Sequence, residues 1–131
     1  MCINVLHEVA AMLKSILMVW VLVHNVPATQ EAYEDYLGYQ TADRGVISGE
    51  LAAAIQRPRL ADRSYVTLVP KSGPQVAIRI IEGADRGYQP MRRLGWSAIE
   101  LLVKDPEQLK RDLPGSAFSY LQGPDFLTEQ K

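Results

Sequence analysis

Only one cysteine, Cys2, and two histidines, His7 and His24, occur in the whole chain. One cysteine excludes an intramolecular disulfide and a thiolate metal cluster, and fits a reducing, cytoplasmic setting. Two histidines leave little material for a metal site, because a divalent metal generally takes three or four protein ligands. Charge of one sign is lacking too, since 14 basic residues stand against 15 acidic ones. No global field therefore recommends nucleic acid or an anionic membrane as a partner. A long hydrophobic run is also missing. The apolar stretch near the start, Ser15 to Val26, falls short of the roughly 20 residues that cross a bilayer. Glu8 precedes Lys14, so the start lacks the basic region of a signal peptide.

A chain of 131 residues suits one domain over 1–131. Residues 1–15 read as an amphipathic lead-in, with Val5, Val9, Met12 and Leu13 at helical spacing. "ILMVWVLVHNV" reads as a buried strand that ends at His24. Asn25 then caps a helix, Pro27 suits its first turn, and Gly38 suits the position just past its end. "YQTADRGVI" alternates weakly, as an edge strand does. Ser48 is placed to cap a short alanine-rich helix that ends near Pro58. "RSYVTLVP" and "QVAIRIIE" read as two strands joined at Lys71–Pro74. "WSAIELLV" reads as another strand, followed by Asp105 as a cap, Pro106 as the first helical residue, and Leu109 and Leu113 on one helix face. "SAFSYLQG" reads as a last short strand.

Two segments share a plan. "VLVHNVPATQEAYEDYLG" and "LLVKDPEQLKRDLPG" each run from an apolar strand through an Asn or Asp cap and a proline to an amphipathic helix and a glycine. Their caps lie about 80 residues apart, a spacing that suits a duplicated βαβββ module. The plain alternative is two unrelated strand–helix units of an α+β protein.

Taken in order, "VHNVPATQEAYEDYLGYQTADRG", "ISGELAAAIQRP", "YVTLVPKSGPQVAIRIIE" and "GWSAIELLVKDPEQLKRDLPGSAF" resemble the vicinal oxygen chelate superfamily. That group contains glyoxalases, bleomycin-resistance proteins and extradiol dioxygenases. The resemblance spans about residues 16 to 124 and implies an α+β fold of βαβββ modules around a cupped sheet. The first module would cover 16–82, and a partial second module 95–124. By that plan the partial module lacks about two strands, which leaves an open sheet edge for a homodimer partner or a complementing chain to cover.

The resemblance also implies a divalent metal held by His, Gln or Glu, yet those types are missing where it places them. Counted back from the caps at Asn25 and Asp105, two ligand positions fall near Met18 and Ala98, and the resemblance puts the glutamate position of "VAIRII" at Arg79. The expectation is accordingly no metal site and no cofactor, although the family resemblance leaves a divalent metal open. His24 reads as the end of a strand.

Within "WSAIELLV", period-2 alternation sets Trp96, Ala98, Glu100 and Leu102 on one face, and the resemblance implies that Arg79 falls on the same cup face. A buried charge is costly unless paired, so an Arg79–Glu100 ion pair is expected. It would either neutralise itself or anchor an anionic or hydrogen-bonding ligand. Trp20, Tyr65 and Trp96 are placed to wall an apolar pocket beside it, or simply to fill core. No nucleophile–base set, phosphate-cradling loop or zinc spacing occurs.

The expected function is therefore a glyoxalase- or dioxygenase-like protein that binds a small organic molecule in the cup without the usual metal. The alternatives are a metal-dependent lyase or dioxygenase completed by another chain, and a truncated structural module.

Overall fold

The structure is a computed structural model and describes residues 15–73, 76–83, 92 and 99–119. Strand β1 (Met18–Val23) leads into helix α1 (Val26–Tyr36), and β2 (Tyr39–Val46) follows. A short helix, α2 (Gly49–Ala54), and a 3-10 turn at Pro58–Leu60 come next. β3 (Ser64–Pro70), β4 (Ala77–Glu82) and helix α3 (Pro106–Asp112) complete the order among the described residues.

The caps form as the sequence predicts. Asn25 accepts a hydrogen bond from the Ala28 amide at 3.0 Å, and Ser48 from the Leu51 amide at 3.1 Å. Asp105 accepts from the Gln108 amide at 2.9 Å. Each satisfies an amide that the first helical turn would otherwise leave unpaired. Gly38 ends α1 in the left-handed region, at φ +67°, where a Cβ is disfavoured.

The four strands form one mixed sheet in the order β1-β4-β3-β2. β1 runs parallel to β4, while β3 is antiparallel to both β4 and β2. A strand, a helix and three strands thus make one α+β unit, with β2 at an edge among the described strands.

Alternation divides the side chains between the two faces. Val66, Leu68, Ile78, Ile80 and Tyr39 are buried on one face, packed with Val26, Tyr33 and Leu37 of α1 and its end. Leu101 joins this cluster from the later part of the chain, and Phe118 meets the Tyr33 ring at 5.4 Å between centroids. On the opposite face Ile47, Ala52 and Ile81 are buried among Leu51, Leu60 and Ala61. α2 and the 3-10 turn thereby close one end of that face, and the rest of it carries the polar residues described below.

The edge strand β2 contains a bulge. Its register with β3 shifts between Thr41 and Asp43. Thr41 lies on the α1 side, where its hydroxyl donates to Glu34 Oε1 at 2.7 Å and its amide donates to the same oxygen at 3.0 Å. Gln30 donates to Glu34 Oε2 at 3.1 Å. Chiefly through the Thr41 hydroxyl bond, the Glu34 carboxyl is held below its ordinary pKa. Two residues later, Asp43 would point to the same side in a regular strand. The extra residue turns it to the other face, as bulges do near sites.

Residues 99–103 correct one expectation. They form no strand, although "WSAIELLV" has strand composition. Strand propensity expresses packing and pairing more than an intrinsic backbone preference, and among the described residues this segment pairs with no strand. Ile99, Leu102 and Val103 are exposed there. The last expected strand, over 116–123, is irregular through Ser119. The N-terminal lead-in through residue 14, Trp96, Ala98 and residues 120–124 lie outside the described residues. No helix among the described residues is long and apolar enough to cross a membrane.

Candidate functional site

One row of residues runs across all four strands on the face opposite α1. Trp20 of β1 pairs in register with Arg79 of β4, Arg79 with Thr67 of β3, and Thr67 with Asp43 of β2. Arg79 is the centre of this row. Its Nε donates to Thr67 Oγ1 at 3.0 Å, and Thr67 is itself buried. The guanidinium carbon lies 4.1 Å from the centroid of the Tyr65 ring and 5.4 Å from that of Trp20. Both distances suit a cation held against aromatic faces.

Asp43 supplies the countercharge. Its Oδ2 lies 3.8 Å from Arg79 Nη2, with the arginine side chain 15% exposed and the aspartate 54%. That separation is a charge contact, longer than a hydrogen bond. The same Oδ2 accepts a hydrogen bond from the Tyr65 hydroxyl at 2.9 Å. Donation to Asp43 is the main cause that raises the Tyr65 pKa, followed by desolvation and the aspartate charge; the Arg79 charge opposes them. Tyr65 therefore stays a protonated donor.

Gly45 makes room for this ring. It pairs with Tyr65 across the β2–β3 ladder, and a Cβ on it would lie 2.7 Å from the Tyr65 oxygen and 2.9 Å from Cζ. Any side chain there would force the ring or the strand to shift.

Several residues singled out from the sequence thus come together: Arg79, Trp20 and Tyr65 share one face. Glu100 does not pair with Arg79; it is exposed, in a segment without strand structure, and the cation's carboxylate partner among the described residues is Asp43. The expected pair fails because it required a strand at 96–103 to bring Glu100 to the sheet. Trp96 lies outside the described residues. His24 is exposed at the exit of β1.

Asp43, Thr67 and Gly45 were not apparent from the sequence. Thr67 alternates in phase with Tyr65, and that signal was legible; Asp43 was hidden by the bulge.

The positions where the family resemblance would place metal ligands do not suit a metal. Met18 offers a thioether, which accepts from Trp20 Nε1 at 3.2 Å. Arg79 offers a cation, which repels one. Among the described residues no three His, Cys, Asp or Glu side chains converge.

No protein-family model matches the chain, and no curated protein does. Among solved structures, the chain is similar to the crystal structure of SMU.1112c, with a TM-score of 0.44 and 20% identity. The match covers 78% of this chain and 74% of that one. The likeness is too loose to bear on fold or function.

Proposed function

We propose that the chain is a glyoxalase-like protein that binds a small organic molecule on the sheet face around Arg79, and does so without the metal usual in that group. The strand order β1-β4-β3-β2 with α1 between β1 and β2 supports the family reading, because it is the plan of one βαβββ module.

The observation that carries the binding reading is a guanidinium largely removed from water yet, among the described residues, only loosely paired. A desolvated cation is costly unless its charge and donors are satisfied. Arg79 has a long contact to an exposed carboxylate and one neutral hydrogen bond. Flanking aromatic rings give such a site apolar surface beside a polar anchor, the usual composition of a small-molecule pocket.

A panel of small ring compounds tests this. Binding is expected to quench or shift Trp20 fluorescence, with Trp96→Phe used to remove the second tryptophan, and, measured by titration calorimetry, to weaken in Trp20→Leu. Affinity unchanged by Trp20→Leu would place the ligand elsewhere and sink the reading.

The exposed apolar residues Ile99, Leu102 and Val103 support a second element, a homodimer or complementing chain covering this segment. Light scattering should give a dimer mass that Leu102→Glu reduces to the monomer; a monomeric parent protein would end the homodimer reading.

A further inference from the structure

We infer that the ligand of this face is a monocarboxylate, gripped end-on by the two terminal nitrogens of Arg79, with Asp43 excluding more highly charged anions. The inference rests on the binding reading above and names its ligand class.

The geometry restricts how anything can reach the guanidinium. The Tyr65 ring is stacked against the group at 4.1 Å and the Trp20 ring lies at 5.4 Å. Nε is committed to Thr67 Oγ1 at 3.0 Å. What is left is the edge that carries Nη1 and Nη2. Among the described residues neither atom has a hydrogen bond, and Nη2 has only the 3.8 Å contact to Asp43. Two parallel N–H groups on a planar edge match the two oxygens of a carboxylate, which is the reason arginine rather than lysine recognises planar oxyanions. Thr67, itself buried, and the two rings fix the plane of the fork before the ligand arrives. Little rotamer freedom is then lost on binding.

Asp43 sets the charge limit. Arg79 and Asp43 together are neutral, so a monoanion leaves the site with one net negative charge and a phosphate dianion with two. The aspartate is held in place by the Tyr65 hydroxyl at 2.9 Å, and cannot simply swing away without losing that bond. A like charge beside the ligand costs more for the dianion than for the monoanion. Asp43 also competes with the ligand for Nη2, so neutralising it should strengthen carboxylate binding.

Three probes with one ring test the inference: benzoate, the neutral benzamide, and phenyl phosphate. Each is titrated into the full chain while the indole N–H resonance of Trp20 is followed, assigned by its loss in Trp20→Phe. Benzoate is expected to bind about tenfold or more tightly than benzamide, and no less tightly than phenyl phosphate. Arg79→Lys keeps the charge and should lower benzoate to the benzamide level. Asp43→Asn should tighten benzoate several-fold and phenyl phosphate by more. Amide spectra of both variants report whether the fold is retained. If benzamide binds as tightly as benzoate, the carboxylate inference falls and the binding reading stands. Phenyl phosphate binding more tightly than benzoate to the parent protein overturns the role of Asp43 and the monocarboxylate with it. If none of the three perturbs Trp20, both the inference and the binding reading fall.

Discussion

Gly45→Ala is a small change that should disturb the site without replacing any of its functional groups. The new methyl would meet the Tyr65 oxygen at 2.7 Å, Cζ at 2.9 Å and Cε1 at 3.0 Å. Contacts that close do not persist, so the ring or the strand must shift. The ring is held on its far side by Arg79 and at its tip by Asp43, which leaves no relaxed position that keeps both contacts. Overpacking of this kind costs about 1–3 kcal/mol. Alanine recovers part of it, because glycine inside a strand is less stable than alanine by about 0.5–1 kcal/mol. The net expectation is a loss of about 1 kcal/mol. Urea unfolding followed by tryptophan fluorescence would report it as a lower midpoint at unchanged slope. The decisive comparison repeats the substitution in a Tyr65→Ala background. With the ring gone, only the strand preference is left, and Gly45→Ala should become stabilising by roughly 0.5 kcal/mol. A double-mutant cycle isolates that change of sign as coupling between the two positions. Equal effects of Gly45→Ala in the two backgrounds would refute the packing described for Tyr65.

The remaining predictions concern the scaffold. Glu34→Gln removes a carboxylate whose pKa is lowered by the Thr41 hydroxyl bond. Because the folded value lies below the unfolded one, that stabilisation is whole above about pH 4.5 and disappears as the pH falls through the folded value. The variant should lose up to about 1 kcal/mol near neutral pH, discounted for solvent screening, and should show a shallower loss of stability in acid. Asn25→Ala should cost about 1 kcal/mol in global unfolding because α1 covers the core, whereas Asp105→Ala should show mainly as faster amide exchange in α3. Ile80→Ala, at a fully buried position, should cost about 2–5 kcal/mol by chemical denaturation.

The helix caps and the first unit were legible because they depend on local chemistry. Asn25, Ser48 and Asp105 each satisfy an amide three residues away, and Gly38 solves a local backbone problem. The run of β-branched residues in "YVTLVP" and "AIRIIE" has only one buried way to pair. The family resemblance implied the cup face for Arg79, with Trp20 and Tyr65 near it. Counting failed at β2, where the bulge between Thr41 and Asp43 breaks the period and moves the acid to the side where the cation lies. It failed differently at residues 99–103, where an apolar composition was read as a strand. Composition does not supply a neighbouring strand, and Glu100 was assigned to the sheet on the strength of one. The pairing of a cation with one acid rather than another is a long-range fact: Asp43 and Arg79 meet only through the register of three strands.

Ligand binding at Arg79, on the sheet face opposite α1, can be decided by a single titration of benzoate into the isotope-labelled chain. Shifts are read at every backbone amide and at the Arg79 Nε–H and Trp20 Nε1–H side chains. Saturable shifts with one dissociation constant are expected at both side chains and at the amides of Thr67 and Asp43. Shifts confined to α1 or to residues 99–119, with Arg79 Nε–H unmoved, would contradict binding at this face.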